Sequence, residues 1–248
     1  MNKHLILLAL LAVAVAGCKK DDEEPDTHDH GTTGATFRLD YGFHWGADDF
    51  ALGTAYTDGN AHAIKFTSVR FYAGQPELFN AGTEVAHYHD LYLLFDASEP
   101  EGEKSIGSMS AATVDQLKFF LGVDSVSNHA DPTLADAPLN DATMHWTWNP
   151  AAGYKFFVLE GRVDDDGNGV DDTDPEFVYH CATDDALREA ELAFSGSVAD
   201  GGTLAPHLEI MMDQVVSGVD FLATPVGMGY DAVNAQLMDN LVNALEIE

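Results

Sequence analysis

The sequence is divided into many short runs that resemble β-strands, separated by Gly, Pro, Asn and Asp residues that favour turns. The runs are rich in Val, Ile, Phe, Tyr and Trp, and several alternate apolar with polar residues, as a strand with one buried face does. Helical spacing appears only near the C-terminus, from Val233 to Leu245. An all-β fold is therefore predicted, a β-sandwich or barrel of short antiparallel strands with a short C-terminal helix.

The N-terminus has the features of an export signal. Lys3 precedes an unbroken apolar stretch, Leu5 to Val15, which is shorter than the about 20 residues needed to span a bilayer. Residues 1–17 are therefore predicted to be a signal peptide. The sequence "VAGC" resembles a lipobox and predicts lipid on Cys18, although an ordinary signal peptide with a chance cysteine is the alternative. We expect an outer membrane lipoprotein, anchored through its lipid on the periplasmic face or at the cell surface.

A tether and a single large domain are predicted after the signal. Residues 18–35 are charged, rich in Thr and Gly, and free of aromatic residues, which is typical of a disordered acidic tether. Residues 36–248 are long enough for one domain with a substantial core. Cys181 has no intramolecular partner if Cys18 is lipidated, and a buried small residue is the favoured interpretation of Cys181.

The charge balance limits the possible partners. The formal net charge is −31, with 42 acidic residues against 11 Lys and Arg. Such a field repels the phosphates of nucleic acids and favours cationic partners. We therefore expect no nucleic-acid binding.

The segment "RVDDDGNGVDDTDPEF" places three oxygen-bearing side chains at alternate positions and follows them with Gly169. Calcium loops use this pattern, because the ion takes hard oxygen ligands and the glycine permits a sharp turn. A solvated turn is the alternative, since Pro175 stands where the usual closing glutamate is expected. The candidate calcium ligands are Asp164, Asp166, Asn168, Asp171 and Asp172, with Asp174 as another closing residue.

Two histidines lie at the head of the strongly β-like run "AHYHDLYLLFD". If that run is a strand, His87 and His89 share one face, about 7 Å apart at Cα, and two imidazoles could reach one metal ion. Two solvated histidines are the alternative. A third ligand could come from His180, in the later run "EFVYHCAT", where Cys181 would face the other way.

The middle of the chain resembles the MbnP-like family of copper-binding proteins. The resemblance rests on "LGVDSVSNHADP", "APLNDATMHWTWNPAAGYKFFVLEG" and "YHDLYLLFD", and it spans roughly residues 36–216. It implies a β-sandwich that binds copper through histidines, with His89 and His180 at positions that match histidines of the family. With His87, which shares a strand face with His89, the predicted copper ligands are His87, His89 and His180. The resemblance also implies a partner of the di-haem MauG or cytochrome c peroxidase type. In some members a tryptophan is oxidised to kynurenine and joins the site; His87 stands in the place expected for it, which excludes a kynurenine ligand there.

These patterns favour a binding protein over an enzyme. The sequence contains neither G-x-S-x-G nor H-E-x-x-H, so no catalytic function is expected. The predicted function is a lipid-anchored copper-binding protein for copper acquisition, storage or delivery. A surface adhesion or glycan-binding module stabilised by calcium is the alternative.

Overall fold

The computed structural model describes residues 34–147 and 152–248. Within them the chain is mostly β-structure, with three short helices: α1 (Ser125–Asn128), α2 (Met212–Val215) and α3 (Ala232–Asn243). None of these helices is long and apolar enough to cross a membrane. The strands are β1 (Ala35–Trp45), β2 (Asp48–Asp49), β3 (Ala55–Thr57), β4 (Ala63–Asn80), β5 (Thr83–His87), β6 (Tyr92–Asp96), β7 (Glu101–Met109), β8 (Ala112–Leu121), β9 (Lys155–Val163), β10 (Glu176–Ala182), β11 (Arg188–Val198), β12 (Thr203–Leu204), β13 (His207–Met211), β14 (Val226–Gly229) and β15 (Leu245–Ile247).

The described strands form two sheets, which confirms the predicted β-sandwich. The smaller sheet has the order β12-β1-β13-β15, with β2 and β7 also paired to β1. The larger has the order β11-β8-β4-β9-β10-β14, with β3, β5 and β6 paired to β4. Most pairs are antiparallel as predicted, but β1 runs parallel to β12 and β13, and β10 runs parallel to β14. Long connections separate these parallel partners, as parallel pairing requires.

The core is aromatic and explains the alternation in the sequence. On β1, Phe37, Leu39, Tyr41 and Phe43 are all buried, whereas the residues between them form the other face. Phe43 packs edge-on against Phe71 of the larger sheet, with ring centroids 6.3 Å apart. Side chains from both sheets therefore meet in one core.

The predicted C-terminal helix is confirmed as α3. Asp231 caps it by accepting a hydrogen bond from the Asn234 backbone N–H, and Leu237 and Leu241 are buried. Cys181 is a free, fully buried thiol on the face of β10 opposite the half-buried His180, as predicted. Burial raises the pKa of the Cys181 thiol.

Two local predictions were wrong. The run at 86–96 is two strands, because β5 ends at His87 and the chain turns at Asp90, which has a φ of 56°. The run at 143–149 was predicted to be a strand, but it begins in a 3-10 turn, Ala142–Met144, and its described residues, up to 147, form only an isolated bridge at His145. The residues from Arg188 form strand β11, which confirms the strand predicted for that run.

Candidate metal centre

Two histidines and a glutamate converge on the half-buried face formed by β1 and β13. The two strands are parallel and in register, with Gly42 opposite Glu209 and His44 opposite Met211. His44 comes from β1, and His207 and Glu209 come from β13; all three side chains are partly buried. Their ligand atoms lie within 4.8 Å of one another. Two imidazoles and a carboxylate at this spacing can hold a single transition-metal ion.

Gly42 makes the convergence possible. A Cβ at residue 42 would lie 2.8 Å from Nε2 of His44 and 3.3 Å from Nε2 of His207. Nε2 of His44 and Nε2 of His207 therefore both project into the space next to Gly42, which a larger side chain would fill.

His44 provides the best test of whether these residues fit a metal ion. Its Nε2 is buried and makes no hydrogen bond, although buried polar atoms nearly always have a partner. Its other nitrogen, Nδ1, lies 3.8 Å from Oδ1 of Asp49. A carboxylate on the Nδ1 side favours the tautomer that leaves the Nε2 lone pair free for a metal. The donor set and the unpartnered nitrogen both fit an imidazole-binding metal such as copper.

The neighbouring acidic residue on β1 has a different partner. Asp40 lies opposite His207 in the ladder, but its carboxylate is paired with Arg38 at 2.9 Å. Arg38 also contacts Glu103 of β7 at 3.0 Å. The guanidinium therefore holds Asp40, which leaves Glu209 as the carboxylate of the cluster.

Sequence reasoning did not find this centre. The one local signal was "PHLEI", in which His207 and Glu209 are two residues apart and share a strand face. Nothing local indicates that this strand pairs with the first strand of the domain, and His44 becomes a ligand candidate only through that pairing.

His87 and His89 are close together, as predicted, but in a different backbone conformation. Their ring centroids are 3.6 Å apart and their planes are inclined by 36°. His87 is the last residue of β5, and His89 lies in the following turn and is exposed. Nε2 of His87 is buried without a hydrogen bond and lies 3.4 Å from Oε1 of Glu77 on β4.

His180 lies in different surroundings. Its Nε2 is 2.7 Å from Oε1 of Glu160 on β9, and its ring centroid is 5.5 Å from that of Trp146. Nζ of Lys155 lies 5.2 Å from the centroid of the Trp146 ring. Trp148, the other tryptophan of this run, lies outside the described residues.

The structure does not bring the three predicted copper ligands together, which corrects the predicted site. His87 pairs with Glu77 of β4, whereas His180 pairs with Val158 of β9, which pairs with Arg70 of β4. Residues 70 and 77 are roughly 20 Å apart along an extended strand. His87 and His180 are therefore at different levels of the sheet and separated by intervening strands.

The acidic loop is organised largely by its own backbone. Asp164 is buried and accepts hydrogen bonds from the backbone N–H groups of Asp166, Gly167 and Gly169. These bonds lower the pKa of its carboxyl, that from Gly167 most strongly.

Three carboxylates of this loop share one small volume. Asp164, Asp166 and Asp174 have oxygens within 4.8 Å of one another. Asp174 also accepts a hydrogen bond from the Asp171 backbone N–H. Among the other candidates, the Asn168 amide donates to Asp166, and Asp171 accepts from Thr173. Asp172 is exposed. Calcium binding here stays a prediction.

Comparisons with known proteins agree with the resemblance seen in the sequence. The family model MbnP matches residues 33–233. Among solved structures, MbnP from Methylosinus trichosporium has the same fold, with a TM-score of 0.50 and 15% sequence identity. The match covers 80% of this chain and 81% of that chain. No curated relative was found.

Proposed function

The chain belongs to the MbnP family, and from that premise we propose that it binds copper through His44, His207 and Glu209. The observation that carries the proposal is the buried, unpartnered Nε2 of His44 beside a second imidazole. A buried acceptor without a partner destabilises the fold unless a ligand binds it. A bound metal ion would supply that partner.

The chemistry of the donors favours copper among divalent ions. Imidazole and carboxylate together bind several first-row metals, and Cu²⁺ has the highest affinity for a given site in that series. Met211 lies opposite His44 in the ladder and belongs to the same half-buried face as Glu209. A thioether at this position would also suit Cu⁺, which prefers softer ligands.

The proposed role is copper acquisition, storage or delivery at the outer membrane, without catalysis. Lipid on Cys18 would hold the domain at the membrane, and the acidic segment after it would act as a tether. A di-haem protein of the MauG or cytochrome c peroxidase type is the proposed partner, by resemblance to the family.

A second copper site is favoured by one observation. Nε2 of His87 is also buried without a hydrogen bond, and the His89 ring is in contact with the His87 ring. Glu77 lies close to His87, but within the described residues no third His, Cys, Asp or Glu has a ligand atom within 4.8 Å of ligand atoms of both histidines. We therefore place tight binding at His44 and treat the His87–His89 pair as the second candidate.

Copper titration of matched double variants tests the proposal. The affinity for Cu²⁺ would be measured at pH 7 by competition with a chromophoric chelator. His44→Ala with His207→Ala should weaken binding by at least about a hundredfold, because both imidazole ligands are lost. His28→Ala with His30→Ala, in the predicted tether, removes the same number of histidines and should leave the affinity within about threefold of wild type.

A third double variant, His87→Ala with His89→Ala, decides between the two candidate copper sites. If His87→Ala with His89→Ala abolishes tight binding while the His44 and His207 variant retains it, copper binds at β5 and our assignment fails. If only the tether variant loses copper, the domain holds no tight site.

A further inference from the structure

A cavity of about 420 Å³ opens between the turn before β6 and the loop that follows α1. This volume is within the range of small-molecule sites. The floor of the cavity is apolar and aromatic, with Leu91, Tyr92, Leu139 and Tyr154. The cavity is independent of the candidate metal centre, since it contains none of its residues.

The two tyrosines of the floor are fixed in place. The Tyr92 hydroxyl contacts the Asp124 carboxylate and lies 2.8 Å from Ser127 Oγ. The Tyr92 ring lies over Gly74, where a Cβ would come within 2.7 Å of it. Tyr154 donates its backbone N–H to Asn128 and packs edge-on against Tyr72. The cavity floor is therefore preformed, which lowers the entropic cost of binding.

The polar groups on the rim are acidic. Asp90, Asp131 and Asp136 line the opening and are exposed, and no Lys, Arg or His is among the described residues that line it. Thr133 donates both its hydroxyl and its backbone N–H to Oδ1 of Asp131. These hydrogen bonds lower the pKa of the Asp131 carboxyl, so it is charged at neutral pH. Burial raises the pKa of Tyr154, and the negative charge of Asp131 raises it further.

We propose that this cavity binds an organic cation, an ammonium or guanidinium group carried on an apolar body. The apolar body would cover the floor, where Leu139 and the two tyrosine rings are buried. The cationic group would lie at the rim, close to the three carboxylates.

Neither the acidic rim nor the apolar floor of the cavity would be sufficient alone for selective binding. Exposed ion pairs are weak, and each contributes at most about a fivefold gain in affinity. A metal cation or ammonium ion without an apolar body would leave the floor uncovered, and a neutral apolar compound would leave the carboxylates unmatched. The combination selects amines with an aliphatic or aromatic chain, either free or as a lysine side chain presented by a polypeptide.

Calorimetric titration with matched probes tests the inference. We expect 4-phenylbutylamine to bind at least about tenfold more tightly than 4-phenylbutanol, which has the same body and no charge. The peptide acetyl-Phe-Lys-Phe-amide distinguishes the two sources. Tighter binding of the free amine indicates a small-molecule ligand, and tighter binding of the peptide indicates a basic residue of a partner polypeptide.

Two variants locate the binding. Asp131→Asn with Asp136→Asn should weaken amine binding by about tenfold and leave binding of the alcohol unchanged. Ala130→Phe, at the exposed rim, should fill the cavity and abolish binding of both compounds. Asp200→Asn with Asp172→Asn removes the same charge elsewhere and should have no effect.

Three results would overturn the inference: amine and alcohol bind equally, neither binds, or the distant double variant weakens amine binding as much as the rim variant. Copper plays no part in these measurements, so their outcome is independent of the proposed function.

Discussion

Gly42 is the residue on which the proposed copper site depends most. Its missing side chain leaves the space into which Nε2 of both His44 and His207 project. We predict that Gly42→Ala weakens Cu²⁺ binding at least about tenfold, because the new Cβ displaces two imidazole ends from one ion. The free energy of unfolding should change little, since the displaced atoms are the ends of side chains and alanine suits a strand slightly better than glycine.

The control for this substitution is Gly59→Ala, where a Cβ would have open space around it. Equal copper affinity of Gly42→Ala and wild type would mean that His44 and His207 do not bind a common ion.

A second prediction at the residue scale concerns acid stability. The contact with His180 lowers the pKa of the Glu160 carboxyl, which outweighs the opposing effect of desolvation. A carboxyl with a lower pKa in the folded state stabilises the fold above its unfolded pKa, and this contribution is lost as the pH falls through its folded pKa. Glu160→Gln should therefore be less stable than wild type at pH 7, and the difference should shrink below about pH 4.5.

Urea denaturation of both proteins between pH 7 and pH 3.5 measures this difference. A gap between wild type and Glu160→Gln that stays constant over the whole range would show that the Glu160–His180 contact makes no pH-dependent contribution.

At the scale of elements, the carboxylates of the acidic loop between β9 and β10 have two competing explanations. They form either a Ca²⁺ site or a turn held by its own hydrogen bonds. Backbone N–H groups already satisfy Asp164, yet its oxygens remain close to those of Asp166 and Asp174. If the loop binds Ca²⁺, the ion should raise the melting temperature at millimolar concentration, because it binds only the folded state. Asp164→Ala with Asp166→Ala should abolish that shift.

The same titration on Asp172→Ala is the control, since Asp172 lies outside the converging group and the shift should persist. A melting curve of wild type that does not respond to Ca²⁺ would leave the loop as a turn held by its own hydrogen bonds.

The sequence predicts an element correctly where the residues that determine it are close together in the chain. Helix α3 follows from apolar residues repeated every four positions, and β1 follows from its alternation. The run "TMHWTW" also alternates, but Asp141 accepts hydrogen bonds from both the backbone and the hydroxyl of Thr143 and is paired with Arg70. These contacts stabilise a 3-10 turn in place of a strand.

The candidate metal centre was harder to predict, because its residues are far apart in the chain and meet only through strand pairing. His44 and His207 are brought together by parallel pairing between strands at opposite ends of the domain, and no periodicity encodes that pairing. His87 and His180 carried the stronger local pattern, but the register of β4 with β5 and β9 keeps them apart.

At the scale of the whole molecule, the predicted lipid anchor would decide where any bound copper is held. We predict that Cys18→Ala releases soluble protein or leaves uncleaved precursor, because the lipobox cysteine is the residue that would be lipidated. Membrane fractionation and the mass of the N-terminal peptide measure both outcomes. Cys181→Ala is the matched control, since that thiol is buried in the domain, and its fractionation should not change. A processed, membrane-bound Cys18→Ala protein would contradict the anchor.

The position of the metal ion itself tests the central claim most directly. Crystals grown with one equivalent of Cu²⁺ would be measured on both sides of the copper absorption edge to locate the ion by anomalous scattering. We predict a single strong peak between His44, His207 and Glu209, about 2.0 Å from each ligating nitrogen. A peak beside His87 and His89 or beside His180, with none between His44, His207 and Glu209, would contradict the account.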